Sequence, residues 1–268
     1  MAKEIFRGID REKSHGAIKM ENTNIIRYIP KDTQEIIRRN MNICDNPYLY
    51  YHNIGKNITN LEIPALSMRL IDHIRNAAKT YKKYEEIELK QKGKMVVGLG
   101  EESFYETSIT LHYIYGIPYI PASAIKGVVR HWMISKIFNS DEQEAEKDKV
   151  FQQIFGVSAG EVKKSGNITF FDAFPVSIDI KFDVMTPHYS QYYNGNELTD
   201  TENPIPIKFI VVENGRFMFY ISTNHIISDK SPNFKENDIL QITKKYLIEA
   251  LKYNGIGAKT AVGYGRFE

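Results

Sequence analysis

The chain has 268 residues, 42% of them hydrophobic and 25% charged, with 35 Lys+Arg against 33 Asp+Glu. This is an ordinary globular composition. It excludes an extended disordered chain, a collagen-like repeat and a coiled-coil rod, and the length allows one large domain or one domain with an appendage. A net charge of +2 excludes a wholesale polyanion binder and confines any nucleic-acid surface to a local patch.

The single cysteine, Cys44, excludes an internal disulfide and a cysteine-cluster zinc site. None of the seven histidines sits at HxxxH or HExxH spacing, so no metal or other cofactor is expected. No apolar run approaches ~18 residues, and the opening MAKEIFRGIDREKSHG lacks an apolar signal core. The expectation is a soluble cytoplasmic protein with no membrane partner.

Residues 1–60 show weak periodicity and turn signals such as Asp45-Asn46-Pro47. The cluster Tyr48, Tyr50 and Tyr51 reads as packing in a core or interface. Over 61–92, Ile63, Leu66, Leu70, Ile74, Ala77, Tyr81 and Tyr84 recur at helical spacing and predict one long helix. Its solvated face carries Lys79, Lys82 and Lys83, then Glu85, Glu86 and Glu88, and Gly93 ends it. Residues 1–92 therefore read as an N-terminal extension, and 93–268 as the main domain.

Met95–Leu99 and Ser108–Ile114 read as strands. Gly116–Pro121 is extended, because each proline biases its predecessor away from helix. Ser123 is a suitable N-cap for a helix over 123–138 that buries Ile125, Val128, Val129, Trp132, Met133 and Ile137. Lys126 and Arg130 lie one turn apart on its other side. Residues 139–150 are an acidic loop or helix extension.

Asn167–Phe174 and Ile178–Met185 read as strands, and 186–206 as an excursion from the sheet. Asn214-Gly215 between Lys208–Val212 and Phe217–Ile221 is a type I′ hairpin signal, placing Glu213 opposite Arg216. A helix follows over 236–253, carried by Ile239, Ile242, Tyr246, Leu247, Ala250 and Leu251, and Ala261–Phe267 closes the chain as a strand. The order from residue 93 is β-α-β-β-α-β. That predicts an α+β, ferredoxin-like (RRM-like) fold, with helices on one face of an antiparallel sheet and the other face free for a ligand.

The strongest chemical signal is Gly255-Ile-Gly257-Ala-Lys259-Thr260-Ala-Val-Gly263-Tyr264-Gly265. Glycines let backbone N–H groups approach a phosphate, Lys259 adds a charge and Thr260 a hydroxyl. The same glycines equally suit a tight helix-to-strand turn with no ligand. A P-loop is excluded, since Ala258 precedes the lysine and no helix follows.

The second signal is Pro121–Arg130. Residues 107–140 hold no Asp or Glu but do hold Lys126, Arg130, Lys136, His112 and His131, and an uncompensated basic helix start suits phosphate contacts. Gly127 inside that helix suggests that another backbone comes close. The third is Asp183–Tyr193, whose His188, Tyr189 and Tyr192 suit stacking on bases or packing on a protein partner. His112, His131 and His188, with Lys126, have the chemistry for acid–base RNA cleavage, which leaves a stand-alone endoribonuclease as the alternative reading. Asp172 and Asp183 are a weak pair for a metal.

Three segments, Gly116-IPYIPASAIKGVV-Arg130, Asp183-VMTPHYSQY-Tyr193 and Gly255-IGAKTAVGYGR-Phe267, resemble the family of sixth subunits of Cmr, the type III-B CRISPR effector complex. That family lies within the RAMP superfamily. Gly166-NITFFDAF-Pro175 and the Pro204–Phe219 region fit the same pattern. The likeness covers about residues 93–268, and Ala122 departs from it where the family has glycine.

The resemblance implies a non-catalytic RNA-binding scaffold near the 3′ end of the guide RNA in antiviral, RNA-guided target recognition. Its implied partners are guide RNA, target RNA, the backbone-forming RAMP subunit and the end-capping one. By position it assigns phosphate contacts to Gly255, Gly257, Lys259, Thr260, Gly263, Lys126 and Arg130, and contacts with the duplex or a neighbour to His188, Tyr189 and Tyr192.

Overall fold

The computed structural model describes residues 58–61, 64–100, 107–112, 115–157, 164–186, 206–225 and 231–268. Its frame is an antiparallel sheet flanked by helices. The strands are β1 (Ile58–Leu61), β2 (Lys83–Lys92), β3 (Lys94–Met95), β6 (Ile168–Phe170), β7 (Phe174–Met185), β8 (Ile207–Thr223) and β9 (Arg266–Phe267), with the order β1-β7-β8-β2-β9. A separate two-stranded ribbon joins β4 (Gly156–Val157) to β5 (Lys164–Ser165). The helices are α1 (Pro64–Ala78), α2 (Ala122–Ile137), α3 (Glu142–Lys147), α4 (Lys149–Phe155) and α5 (Ile239–Tyr253).

Taking β2, α2, β7, β8, α5 and β9 in chain order gives the β-α-β-β-α-β unit with spatial strand order 4-1-3-2, the ferredoxin-like arrangement. Its first strand is β2. The helix expected over 61–92 is therefore only half present: it ends at Ala78, and Lys83–Lys92 is a strand hydrogen bonded to β8 along Lys83–Lys90. Ile87, Leu89 and Gln91 alternate inward with period two, and the Glu and Lys residues between them point out. The sheet thus draws on residues on both sides of position 93.

The Asn214-Gly215 hairpin does not form either. β8 runs unbroken for 17 residues, and β7 pairs with it on both sides of that dipeptide, from Phe174↔Met218 to Met185↔Ile207. Between Ser177↔Arg216 and Asp179↔Glu213, β7 advances two residues while β8 advances three, so Asn214-Gly215 is a β-bulge. Asn214 takes φ 53° and donates from Nδ2 to Asp179 Oδ2 at 2.7 Å. Any Cβ at position 215 would lie 2.6 Å from Gln91 Oε1. Glu213 consequently faces Asp179 and Lys94, with Lys181 as its ion-pair partner, rather than Arg216.

The other predicted strands shrink. Of Met95–Leu99 only Met95 is in a strand, β3, and of Ser108–Ile114 the described part holds a single bridge, Leu111↔Pro118. Asn167–Phe174 breaks after Phe170, where Ala173 turns aside to bridge Ile120. Ala261–Phe267 reduces to a 3₁₀ turn at Thr260–Val262 and β9.

The main core lies between the sheet and the helices α2, α4 and α5. Phe209, Phe217, Phe219 and Ile221 point into it from β8, with Ile125, Val129 and Met133 from α2 and Leu247, Ala250 and Leu251 from α5. Phe267 meets Phe217 and Phe219 edge-on at 5.8 and 5.6 Å, which fixes the last strand. Each such ring contributes ~1.5–3 kcal/mol on burial.

The opposite sheet face is not free, contrary to expectation. Ile71 and Ala78 of α1 pack there on Phe174, Met218 and Tyr220, and the Ser67 hydroxyl donates to the Pro175 carbonyl. Arg75 of α1 reaches Glu86 at 2.7 Å, and the Tyr220 hydroxyl donates to the same carboxylate at 2.9 Å.

Candidate nucleic-acid interface

With helices on both faces of the central strands, the C-terminal glycine-rich loop is a chemically distinctive element that reaches the surface, where Gly257 and residues 261–263 are exposed. It leaves α5 at Asn254 and lies along residues 94–97 and the ends of β7 and β8. Gly255, Gly257, Gly263 and Gly265 all have positive φ, and so does Lys259, at 61°. The glycines divide by role. A Cβ on Gly265 would lie 1.8 Å from the Ile256 carbonyl oxygen, on Gly257 2.3 Å from that of Val96, and on Gly255 2.8 Å from that of Tyr264. These three permit close backbone packing. A Cβ on Gly263 would meet nothing within 4 Å, so that glycine serves the turn alone.

Backbone hydrogen bonds lock the frame: Ala258 N–H to Val96 O at 2.8 Å, Ile256 N–H to Gly265 O at 2.9 Å and Gly265 N–H to Lys94 O at 2.8 Å. Within the tip, the N–H groups of Val262, Gly263 and Tyr264 return to the carbonyls of Lys259 and Thr260. Those of Lys259, Thr260 and Ala261 have no acceptor among the described residues. Three successive free amides beside a lysine and a threonine hydroxyl are the donor types that take an anion. Ala261, Val262 and Gly263 are exposed beside these groups. The Lys259 ammonium stands 4.7 Å from the centroid of the Phe209 ring and 6.0 Å from that of Tyr264, which holds its charge in place without neutralising it.

Asp183, at the end of β7, lies beneath the loop. The Tyr264 hydroxyl donates to it, and Lys94 Nζ pairs with it at 2.9 Å. Burial opposes its ionisation, but the hydrogen bonds from Lys94, Tyr264 and the Val184 N–H outweigh burial and hold the carboxyl below its ordinary range. Burial, then the bond to Asp183, pushes the Tyr264 hydroxyl up to about 12. Glu86 is also held low, chiefly by its hydrogen bond to Arg75. A carboxylate depressed in the fold contributes stability above its unfolded pKa and loses it as pH falls. The melting temperature is therefore expected to be flat above about pH 5 and to fall below about pH 4. Asp183→Asn and Glu86→Gln should each remove part of that fall, and a wild-type melting curve flat to pH 3 would contradict the assignment.

The α2 site is only partly as the sequence suggests. Ser123 is not the N-cap: Pro121 occupies that position, and Asp172 supplies the cap, accepting the Ala122 N–H at 2.7 Å. A carboxylate thus already occupies the start of the helix. Arg130 is compensated, pairing with Glu142 at 2.7 Å and Glu146 at 3.0 Å and lying over the Phe151 ring. Both acids come from α3, just beyond the acid-free stretch. Lys126 is half-buried with no ion-pair partner among the described residues, and Gly127 is exposed with open space where a Cβ would go. No backbone of this chain among the described residues crowds Gly127. Replacing Asp172 with Ala is expected to cost ~1 kcal/mol through the lost cap, read as a lower denaturant midpoint at unchanged slope.

His112 stacks on Tyr115 at 5.1 Å and meets Tyr119 and Phe174 edge-on, and burial lowers its pKa against the opposing charge of Asp172. It is a packing residue in an aromatic cluster, whereas His131 is exposed on α2. Among the described residues, no group of three or more His, Cys, Asp or Glu is placed to hold a metal ion, and no helix is long and apolar enough to cross a membrane. His188, Tyr189 and Tyr192, like the Tyr48–Tyr51 cluster, lie outside the described residues. Lys94 and Tyr264, which anchor the loop, escaped the sequence reading because their partner Asp183 is remote in the chain.

A ferredoxin-like α+β domain closed by a glycine-rich loop just before its last strand is the class that fold and site define. The chain belongs to the RAMP superfamily, whose family model matches residues 88–268. It is 31% identical over 233 residues to the CRISPR system Cmr subunit Cmr6 of Pyrococcus furiosus, covering 66% of this chain and 65% of that protein. It is 30% identical over 170 residues to the Cmr6 subunit of Saccharolobus solfataricus, covering 61% and 49%. The chain thus spans just under two thirds of the first relative's length and about half of the second's. In fold it is similar to a chain in the cryo-EM structure of the type III-B Cmr-beta complex bound to cognate target RNA, with TM-score 0.58, 23% identity and coverage of 89% and 75%.

Proposed function

We propose that this protein is a non-catalytic, RNA-binding scaffold subunit of a cytoplasmic type III-B CRISPR ribonucleoprotein. It holds the 3′ region of the guide RNA, contacts the neighbouring backbone and end-capping RAMP subunits, and so takes part in antiviral recognition of target RNA. The observation that carries this reading is the tip of the glycine-rich loop, where a lysine, a threonine hydroxyl and three amides with no acceptor among the described residues fall within the three consecutive positions 259–261. The names of the curated relatives supply the setting.

A guide complex accepts many spacer sequences, so its contacts should grip phosphates and shape rather than base edges. Lys259, Thr260 and Gly263 form that grip. Gly255 and Gly257 act through the packing they permit. Lys126, beside the open surface at Gly127, is the better second phosphate contact on α2, because Arg130 is already held by two carboxylates. His188, Tyr189 and Tyr192 are assigned to the duplex or to a neighbouring subunit. In domain terms, residues 1–87 precede the portion that the family model matches.

The test is affinity capture of the tagged protein from its host, with sequencing of the bound RNA and mass spectrometry of its partners. Guide RNAs of many spacers together with RAMP subunits are expected. Recovery of the protein alone, free of guide RNA, would overturn the proposal. Arg130→Ala serves as a control and is expected to change RNA retention less than twofold, because removing a screened surface network costs little.

A further inference from the structure

Asp183 ties together side chains from three segments of the chain. Its carboxylate takes the Tyr264 hydroxyl and the Lys94 ammonium, the latter at 2.9 Å. Lys94 also accepts the Gly265 N–H through its carbonyl, and Tyr264 donates its own N–H to the Lys259 carbonyl at 3.3 Å. The cross-strand partner of Asp183 is Phe209, the ring beneath the Lys259 ammonium. The end of β7, strand β3 and both sides of the loop tip therefore converge on one carboxylate.

A loop with four positive-φ glycines is costly to order, since glycine loses more conformational freedom on folding than any other residue. Something outside the loop has to hold it. Backbone bonds secure its base, and the side-chain hydrogen bond nearest the tip is Tyr264 on Asp183. Lys94 neutralises that carboxylate, so the anchor does not present a bare negative charge beneath an anion site.

We propose that Asp183 is a positioning residue of the glycine-rich loop, fixing Tyr264 and through it the left-handed turn from Lys259 to Gly263 that presents Lys259 and the free amides. The consequence for RNA rests on the phosphate-grip reading, but the ordering of the loop does not. The role differs from that of a metal ligand, because both carboxylate oxygens are already taken up, one by Lys94 and Tyr264 and the other by the Val184 N–H.

The experiment uses the full chain with Asp183→Ala and Tyr264→Phe. Hydrogen exchange of the peptide covering residues 255–268 is followed by mass spectrometry, alongside binding of a mixed-sequence single-stranded RNA over a salt series. Exchange in that peptide should accelerate at least about tenfold in Asp183→Ala, the lower end for a lost hydrogen bond to a charged group, and less in Tyr264→Phe. Exchange in the β7–β8 core should be unchanged. RNA affinity should fall, and the slope of log K against log salt should shrink by about 0.7, one single-strand phosphate contact.

Unaltered exchange at residues 255–268 in both variants would overturn the proposal, as would uniform acceleration across the whole chain. If Asp183→Ala fails to fold, Tyr264→Phe, which removes one oxygen, decides alone. A loosened loop combined with full RNA affinity in Lys259→Ala would refute the phosphate grip and leave the positioning role standing.

Discussion

Gly265→Ala is expected to destabilise the protein by about 3 kcal/mol, combining ~1–2 kcal/mol for a left-handed non-glycine residue with an overpacking cost of similar size. The reason is local and severe. Gly265 has φ 69°, and its added Cβ would sit 1.8 Å from the Ile256 carbonyl oxygen, inside the hydrogen bond that Gly265 accepts from Ile256 N–H. Backbone, not a mobile side chain, would have to move. The displacement would reach Phe267, two residues on, which packs edge-on against Phe217 and Phe219. Gly263→Ala is the matched comparison: φ is 95° but nothing lies within 4 Å, so only the conformational strain of ~1–2 kcal/mol applies. Denaturant melts of the two variants should rank in that order, and equal midpoints would mean that the loop adapts freely at its base.

Lys259→Ala is expected to weaken RNA retention roughly 10- to 100-fold, the range for a lost charge-assisted hydrogen bond of ~1.5–3 kcal/mol. The loss should be similar across unrelated guide sequences, because a phosphate contact carries no sequence information. A strongly sequence-dependent loss would point to base contact instead. Lys259→Gly separates the site from the scaffold. Glycine relieves the left-handed strain of ~1–2 kcal/mol while giving up a cation–π contact of ~0.5–1 kcal/mol. Stability should therefore hold or rise slightly, while RNA affinity falls as it does for alanine. Parallel loss of both would mean that Lys259 acts mainly as a structural residue.

The two ferredoxin helices were legible because Ile125, Val129 and Met133, like Leu247, Ala250 and Leu251, recur at helical spacing and pack as that spacing implies. The glycine-rich loop was legible because its residue types tolerate few alternatives. What failed depended on distant partners. Lys83–Lys92 has helix-favouring Glu and Lys at its outward positions, and only pairing with β8 reveals that Ile87, Leu89 and Gln91 matter at period two. Asn214-Gly215 offers a hairpin locally, but β7 is long enough to pair with both flanks, and the left-handed residue serves a bulge instead. Arg130 looked uncompensated because Glu142 and Glu146 lie in the next helix, and the cap on α2 came from Asp172, fifty residues away.

The helix α1 has a practical implication for anyone preparing this protein in the laboratory. The family's shared portion begins at residue 88, in the middle of β2, whereas the side chains that seal the second sheet face come from Ile71 and Ala78. A recombinant fragment trimmed to the recognisable family boundaries would cut a central strand in two. It would also uncover Phe174, Met218 and Tyr220, and such a surface invites clumping during expression. A soluble fragment should start before β1, at or upstream of Ile58, because that strand pairs with β7 at the sheet's outer margin.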